Sequence, residues 1–386
     1  MCFAMVCVLS MSDRAIRTVS IVGARPQFVK LSPVSRAMTR GRSRIDDRIV
    51  HTGQHYDDAM SRVFFEELEL PQPAVNLGIG SGPQGWQTGR MLEAIEAYLA
   101  ESAPDVVIVY GDTNSTLAGA LAAAKLHIPV AHVEAGLRSF NRRMPEELNR
   151  VATDHLSETL FAPTLTAMKN LQNEGLSARA VLTGDVMYDA VLFYAGLARA
   201  RSSVLKNLRL ANGQFGIATI HRAENTARDE LGKLLDALNA AAARFGQIVF
   251  PVHPRTSAVI AKELPDWRPA AGLSMTGPLG YLDMLALVQA ARWVLTDSGG
   301  LQKEAFFLNC PCVTLRNETE WVETLENEAN SMAGSDGARL EERLQLLTRR
   351  PRDFDTDLSR QDGPFGTGHA AEGIVEAIHA LGGSTP

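Results

Sequence analysis

The chain has 386 residues, of which 45% are hydrophobic and 21% are charged, and its formal net charge is −6. This length exceeds one comfortable core and predicts two domains, and the composition is that of an ordinary globular protein. The negative charge argues against a general nucleic-acid binder and against a basic membrane-surface protein, because both need an excess of cations.

The opening residues and the cysteines indicate a cytoplasmic protein. Residues 1–16 are expected to be a disordered extension, since the first ten are apolar but lack the basic start of a signal peptide and are too short to span a bilayer. Cys2, Cys7, Cys310 and Cys312 are too few for a disulfide framework in so long a chain. We interpret them as reduced thiols.

Apolar runs of strand length recur along the chain, and each is followed by a turn and a helix-like stretch. The predicted strands are residues 18–23, 47–53, 105–112, 129–136 and 159–164, then 216–222, 248–254, 273–278, 293–299 and 312–316. Continuous apolar strands that alternate with helices predict parallel sheets covered on both faces. We therefore predict an α/β protein with two Rossmann-like, doubly wound domains. They comprise residues 17–195, joined by a final helix within 368–386, and residues 213–367.

Ligands of doubly wound sheets bind beyond the carboxyl ends of the strands, so the residues that follow each strand are informative. Arg25 and Lys30 come after the first predicted strand, where helix N–H groups and two cations favour an anion. The alternative is a capped helix with two solvated cations. Asp112 follows the central strand and is either a catalytic carboxylate or a helix cap.

A run of charges begins where another apolar strand ends. Glu134 stands at that end, so its carboxylate needs a partner, and Arg138 is a candidate. Glu146 and Glu147 fall in the first turn of a predicted helix, where carboxylates complement the helix dipole. Glu146 can also pair with Arg150, four residues further on. We interpret Glu147 as an ordinary helix-start residue and leave the structural and functional readings of Glu146 open.

Two strands of the second half each deliver a histidine and an arginine to the predicted cleft. His221 and Arg222 follow one strand, and His253 and Arg255 follow the next. This repetition is unusual for a purely structural protein. Because the histidines are accompanied by cations rather than by carboxylates or thiolates at useful spacing, we predict no metal site.

The sharpest signal for an anion is the stretch TDSGGLQKEAFF. Ser298, Gly299 and Gly300 open a helix after a strand, so the backbone can approach a diphosphate and offer N–H groups to it. Glu304 lies one to two turns further and is placed to bind a ribose diol. Arg316 follows the next strand and can neutralise phosphate charge.

Together these motifs resemble the non-hydrolysing UDP-N-acetylglucosamine 2-epimerase family. The matching stretches are GARPQFVK, TGQHYDDAM, GDTNSTLAGALAA, HVEAGLRS, RMPEELNR, TGDVMYDA, HRAEN, PVHPRT and TDSGGLQKEA, in the family's order. The resemblance implies a GT-B arrangement, with a UDP-sugar in the cleft between the two domains, and usually a homodimer. It also implies a reaction without a cofactor: UDP is eliminated across C1–C2 to give a 2-acetamidoglucal and is added back with the opposite configuration at C2.

The resemblance also implies roles for individual residues. Asp112, Glu134 and Glu146 become the acid/base candidates, and His221 becomes a phosphate contact that assists the departure of UDP. The implied UDP-sugar ligands are Arg25, Lys30, Ser298, Gly299, Gly300, Glu304 and Arg316.

Substrate and regulation stay open at this point. We expect UDP-N-acetylglucosamine and UDP-N-acetylmannosamine, of the kind used for surface polysaccharide precursors, but GARPQF, SFNRRMPEE and QKEAFF also look like the UDP-2,3-diacetamido-2,3-dideoxyglucuronate branch. In some bacterial members the segment after the TGQH motif helps to bind a second, activating UDP-N-acetylglucosamine. Gln54 and His55 are candidates here, although Asp57 stands where such members carry a glutamine. The remaining alternatives are a GT-B glycosyltransferase, a hydrolysing epimerase and a non-enzymatic UDP-sugar-binding regulator.

Overall fold

The computed structural model describes residues 14–40, 44–54, 58–349, 352 and 363–382. Most of the predicted extension 1–16 therefore lies outside the described residues. Its last residues belong to the fold, because Arg14 donates a hydrogen bond of 2.9 Å to Asp105 and the first strand begins at Ile16.

The first half of the chain builds a seven-stranded parallel sheet in the order β3-β2-β1-β4-β5-β6-β7. Its strands are β1 (Ile16–Val22), β2 (Ile45–His51), β3 (Val75–Asn76), β4 (Val106–Tyr110), β5 (Val130–Val133), β6 (Thr159–Ala162) and β7 (Ala180–Leu182). The helices are α1 (Arg25–Thr39), α2 (Asp58–Glu67), α3 (Gln84–Ser102), α4 (Asn114–Lys125), α5 (Pro145–Leu156), α6 (Leu165–Asn173) and α7 (Val186–Arg201). The central strand β4 is wholly apolar and buried along its length, as a strand covered on both faces must be.

The second half builds a six-stranded parallel sheet in the order β10-β9-β8-β11-β12-β13. Its strands are β8 (Phe215–Thr219), β9 (Gln247–Pro251), β10 (Leu273–Thr276), β11 (Trp293–Thr296), β12 (Cys312–Thr314) and β13 (Asn330–Met332). The helices are α8 (Val204–Asn207), α9 (Ala223–Thr226), α10 (Arg228–Phe245), α11 (Pro254–Glu263), α12 (Tyr281–Ala290), α13 (Gly299–Phe307), α14 (Gly337–Leu347) and α15 (Ala370–Gly382). Each sheet reverses its strand order once, between β1 and β4 and between β8 and β11, and such switch points form ligand crevices.

The apolar core joins the two sheets. One buried cluster contains residues of the first half only and another contains residues of the second half only. A third and larger cluster contains residues of both halves, including those of α7 and α12. Within it the rings of Tyr194 and Tyr281 lie 5.7 Å apart in an edge-on contact. The last helix, α15, packs against α1 and α7, which belong to the first half of the chain.

The predicted α/β class with two doubly wound parallel sheets is confirmed. The short edge strands β3, β7 and β13 were not predicted, because two or three residues carry too little periodicity to be recognised. Cys310 and Cys312 are buried free thiols, as the sequence predicts. In the described part of the chain, no helix is long and apolar enough to cross a membrane.

Candidate active site

The polar residues of both halves converge at the carboxyl ends of the strands around the two switch points. Two glycines shape the first of these crevices. A Cβ atom on Gly23, directly after β1, would lie 2.0 Å from Oγ1 of Thr52, so only glycine fits there. Gly111, directly after β4, has φ +65°, and a Cβ atom on it would lie 2.6 Å from Nζ of Lys30. The chain thus brings the β4 turn against the first helix.

Glu134 lies at the centre of this crevice and is buried between two lysines. Its backbone has φ 72°, in the left-handed region that non-glycine residues seldom adopt. Oε1 accepts a hydrogen bond of 2.5 Å from Nζ of Lys30, and Oε2 accepts one of 2.9 Å from Nζ of Lys303. Burial alone would raise the pKa of Glu134, but the charges and hydrogen bonds of the two lysines outweigh it and hold this pKa below its usual value.

Lys303 is the point at which the second sheet reaches Glu134. It lies on α13, is buried, and donates a second hydrogen bond of 2.6 Å to Oδ2 of Asp185, the residue that caps α7. Its ammonium also lies 3.6 Å from the centre of the Trp321 ring, a cation–π contact. Lys303 therefore bridges two carboxylates of the first half of the chain.

The predicted pairing of Glu134 with Arg138 is wrong. The guanidinium of Arg138 instead binds Asp154 at 2.7 Å and Glu174 at 2.6 Å. The chain turns at Gly136, whose N–H donates to Asp154, and this turn carries Arg138 away from the strand end. The arginine thus buttresses the loop after β5 rather than the carboxylate that precedes it.

His132, on β5, contacts two of the elements that surround this crevice. Its Nδ1 lies 2.7 Å from a carboxylate oxygen of Asp154, and its Nε2 lies 2.7 Å from the backbone carbonyl of Gly111. The buried ring therefore ties the turn after β4 to α5.

Asp112 follows that turn and forms an ion pair with Arg150 of α5. Arg150 also donates a hydrogen bond of 2.9 Å to Glu147. The ion pair that the spacing allows between Glu146 and Arg150 is not formed, since Arg150 binds Asp112 and Glu147. Burial raises the pKa of Glu146, and the nearby charge of Asp112 raises it further.

Glu147 is more than the ordinary helix-start residue that the sequence predicts. It lies in the first turn of α5, but its carboxylate is buried and accepts the backbone N–H groups of Ser139 at 2.8 Å and Phe140 at 2.9 Å. Glu147 therefore fixes the loop between β5 and α5.

Across the cleft, His221 follows β8 and is held by Asp297, the residue after β11. Nδ1 of His221 lies 3.0 Å from Oδ1 of Asp297, which also accepts the backbone N–H of Arg222 through Oδ2 at 2.9 Å. Burial would raise the pKa of Asp297, but His221 and the backbone N–H groups lower it to about 2. The aspartate is therefore ionised and orients the imidazole.

His253 stacks near this pair, with its ring centre 5.6 Å from that of His221. Its Nδ1 accepts the backbone N–H of Arg255 at 3.2 Å, which caps α11. Burial lowers the pKa of His253 to about 4, and the charges of His221, Arg25 and Arg255 act in the same direction. His253 is thus neutral near pH 7.

The N-terminus of α13 opens into the same cleft. Ser298 caps it by accepting the N–H of Leu301 at 3.3 Å, and Gly299 and Gly300 are its first, half-buried residues. N–H groups in the first turn of a helix have no partner within the helix and favour an anion. Further along the helix, burial raises the pKa of Glu304 to about 7 despite the opposing charge of Lys303.

Arg316 and Glu320 complete the second half of the site. Nη2 of Arg316 lies 2.8 Å from Oε2 of Glu320, and Arg222 approaches the same carboxylate at 3.9 Å. Burial raises the pKa of Glu320, but Arg316, Arg150 and Arg222 together lower it to about 2. Because Arg150 comes from α5, this carboxylate electrostatically connects the two halves.

The structure thus brings the predicted carboxylates of the first half opposite the predicted helix N-terminus and histidine of the second. Arg25 opens α1 at the rim, with its guanidinium 5.2 Å from the centre of the Phe64 ring. Gln54 accepts a hydrogen bond of 2.7 Å from Ser115, whereas its companion His55 lies outside the described residues. Over the described ranges, no group of three or more potential ligands could hold a metal ion.

Sequence reasoning missed several residues of this site. They are Asp185, Asp297, Lys303 and Glu320. Arg150 was named only as a possible partner of Glu146, whereas it forms an ion pair with Asp112. Asp297 and Lys303 stand inside the stretch TDSGGLQKEAFF, and the placement of a polar residue directly after a buried strand was the signal available for Asp297. The partners of Lys303 lie 118 and 169 residues away in sequence, beyond any local pattern.

Two parallel doubly wound sheets that face each other across a cleft define a GT-B-like α/β protein, and the family comparisons agree. The family model described as UDP-N-acetylglucosamine 2-epimerase matches residues 37–379. A crystal structure of the UDP-N-acetylglucosamine 2-epimerase from Methanocaldococcus jannaschii, in complex with UDP-GlcNAc and UDP, is 41% identical with a TM-score of 0.87 and covers 95% of this chain and 100% of that one. The chain belongs to the UDP-N-acetylglucosamine 2-epimerase family.

Two curated relatives match at similar levels. A UDP-N-acetylglucosamine 2-epimerase homolog from Methanococcus maripaludis is 47% identical over 369 residues and covers 95% of this chain and 100% of the relative. The UDP-2,3-diacetamido-2,3-dideoxy-D-glucuronate 2-epimerase of Pseudomonas aeruginosa is 46% identical over 374 residues, again with 95% and 100% covered. Both branches named in the sequence resemblance are therefore represented among its relatives.

Proposed function

We propose that this enzyme inverts C2 of a UDP-2-acetamido sugar and interconverts UDP-N-acetylglucosamine and UDP-N-acetylmannosamine. The observation that carries the proposal is the buried Glu134, held by Lys30 and Lys303 opposite the N-terminus of α13. A proton-transferring carboxylate and an anion-binding helix end then act on neighbouring parts of one bound substrate. Family membership supports the same reaction.

The carboxylates suit the proton transfers at C2. The pKa of Glu134 is lowered and that of Glu146 is raised, so one is set up as a base and the other as an acid. As the C2–H bond breaks, its electrons form the C1=C2 bond and the C1–O bond to UDP breaks. The resulting 2-acetamidoglucal takes UDP back at C1 and a proton on the opposite face of C2. Asp112, fixed by Arg150, is the third acid/base candidate.

Residues of both halves suit departing UDP. The proposed ligands are Arg25 and Lys30 from the first half, and Ser298, Gly299, Gly300, Glu304 and Arg316 from the second. The first turn of α13 and Arg316 offset the charge of the diphosphate, and Glu304 accepts ribose hydroxyls. His221, oriented by Asp297, contacts the phosphate that leaves with C1. UDP leaves and returns within one catalytic cycle, so the proposal includes no cofactor.

Proton NMR of the purified enzyme with UDP-N-acetylglucosamine alone tests this proposal. We expect signals of UDP-N-acetylmannosamine to appear and to reach a constant ratio with the substrate. Accumulation of free N-acetylmannosamine and UDP would instead identify a hydrolysing epimerase. Turnover that begins only after an acceptor sugar is added would identify a glycosyltransferase.

UDP-2,3-diacetamido-2,3-dideoxyglucuronate is the second candidate substrate. The relative that bears this activity in its name is 46% identical to this chain over 374 residues, against 47% for the homolog from Methanococcus maripaludis. Parallel measurements of kcat/KM for the two UDP-sugars decide between them. The substrate with the higher value is the native one, and equal values would favour a site that ignores the C3 and C6 substituents.

We further propose that residues 17–195 with α15 and residues 213–367 form separate domains, and that two chains form a homodimer in the cytoplasm. The support for the dimer is the family to which the chain belongs, since the sequence resemblance implies that its members are usually homodimers. Sedimentation equilibrium checks the dimer.

Gln54 and His55 are the proposed ligands of an activating UDP-sugar. If they bind one, added UDP-N-acetylglucosamine should increase the initial rate at which UDP-N-acetylmannosamine is consumed, although it is the product of that reaction.

A further inference from the structure

We propose that Lys303, on the second sheet's α13, is a positioning residue that holds the carboxylate of Glu134 in its reactive orientation. The inference deepens the proposed function and rests on Glu134 acting at C2. On this proposal, Glu134 on the first half of the chain can act at C2 only because Lys303 on the second half orients its carboxylate. Without α13 in place, Glu134 keeps only Lys30.

The contacts fix Lys303 from three sides. Its ammonium reaches Oε2 of Glu134 at 2.9 Å and Oδ2 of Asp185 at 2.6 Å, and it lies 3.6 Å from the centre of the Trp321 ring. The side chain retains only 1% of its accessibility. A buried lysine with two charged acceptors and an aromatic face has little freedom to move, so it sets the direction in which Glu134 points.

Lys30 and Lys303 each bind one oxygen of the Glu134 carboxylate. Lys30 binds Oε1 from α1, and Lys303 binds Oε2 from α13. A hydrogen bond to only one oxygen would leave the carboxyl group of Glu134 free to rotate. Hydrogen bonds to both oxygens fix the plane of the group. The left-handed backbone of Glu134, with φ 72°, is tied to β6 by its own N–H, which donates to the carbonyl oxygen of Phe161 at 3.2 Å.

The charges around Glu134 make the proposal testable through pH. The titratable groups that face this cluster are Lys30 from α1, Asp185 at the start of α7, and Lys303 and Glu304 from α13. Removing the positive charge of Lys303 raises the pKa of Glu134, and removing the negative charge of Asp185 lowers it. A base must be ionised to act, so these two substitutions move the acidic limb of the pH profile in opposite directions.

The experiment measures kcat/KM against pH for Lys303→Met and Asp185→Asn. We expect the acidic limb to move up by about one to three pH units in Lys303→Met and to move down in Asp185→Asn. Lys303→Arg keeps the charge and should return the limb towards its original position. Lys233→Met is the matched control, because Lys233 is an exposed lysine that pairs with Glu230 at 2.8 Å, and its profile should not move.

A purely structural role gives a different pattern. Both substitutions would then lower kcat through looser packing without moving the limb, and this result would overturn the proposal. If Lys303→Met does not fold, the Asp185→Asn arm decides alone: a lower limb supports the proposal, and an unmoved or higher limb overturns it. An inactive wild-type enzyme would refute the proposed function itself, whereas an active one with unshifted variants refutes only this inference.

Discussion

Nδ1 of His221 lies 3.0 Å from Oδ1 of Asp297, and the same carboxylate accepts the backbone N–H of His221 at 2.9 Å. The two residues follow the adjacent strands β8 and β11, so the switch point of the second sheet itself sets their distance. Because Nδ1 is engaged, Nε2 is the ring nitrogen left to contact a ligand. This arrangement explains why a histidine and an aspartate occur at these strand ends.

Asp297→Asn should lower kcat by about 10²-fold, because a neutral amide no longer fixes the orientation and charge of the His221 ring. Steady-state epimerisation followed by NMR provides the measurement. Asp336→Asn is the matched control, since Asp336 also accepts a backbone N–H, that of Ala338 at 2.9 Å, but does so at the start of α14. An equal loss in both variants would contradict an orienting role for Asp297.

Glu304→Gln should stabilise the enzyme above neutral pH while weakening substrate binding. Burial raises the pKa of Glu304 from 4.5 to about 7, so the folded state binds the extra proton between these values. The proton on Glu304 stabilises the folded state fully below pH 4.5, and this contribution is lost as the pH rises through about 7. At about 1.4 kcal/mol per pKa unit, roughly 3 kcal/mol is involved. Urea unfolding at pH 5 and pH 8, with KM measured at pH 8, checks both effects.

Asp189→Asn is the control for that experiment. Burial also raises the pKa of Asp189 to about 7, but this carboxylate accepts the backbone N–H of Ala371 at 2.8 Å, at the start of α15. Its substitution should flatten the pH dependence of stability in the same direction and leave KM unchanged. A KM that rises equally in both variants would argue that Glu304 does not bind the substrate.

The sequence predicted the parts of this site that depend on strand ends and failed where distant side chains meet. Glu134, Asp112 and His221 were recognisable because a polar residue directly after a buried strand must face the crevice. Lys303 could not be recognised from the sequence as a partner of Glu134. Arg138 was the nearest cation in sequence, but it binds Asp154, and Lys303 approaches from the other sheet. Charge complementarity between distant elements is decided by packing, which no spacing of residues encodes.

Arg150→Met should lower both stability and activity, because Arg150 is the buried partner of Asp112 and Glu147. Removing one member of a buried ion pair leaves an uncompensated charge and typically costs about 3–5 kcal/mol. Denaturant unfolding measures this loss. Arg90→Met removes an exposed pair with Glu93 and should change the free energy of unfolding by less than about 1 kcal/mol. Equal effects of the two substitutions would contradict the account.

Glu146→Gln should abolish most turnover without destabilising the fold. The pKa of Glu146 is raised by burial and by Asp112, so its ionised form is disfavoured in the folded state and a neutral amide avoids that penalty at high pH. We expect a loss of kcat of about 10²–10⁴-fold, as for a lost general acid or base. Thermal unfolding at pH 8 should give a melting temperature at or above that of the wild type. A marked fall in that temperature would indicate a structural role instead.

The most direct test of the central claim is the isotope content of C2 when the reaction runs in D₂O. The account predicts that UDP-N-acetylmannosamine forms with deuterium at C2, and that Glu134→Gln slows this incorporation by at least about 10²-fold. A product that retains its original hydrogen at C2, or an incorporation rate unchanged in Glu134→Gln, would contradict the assignment of Glu134 and its two lysines to proton transfer at C2.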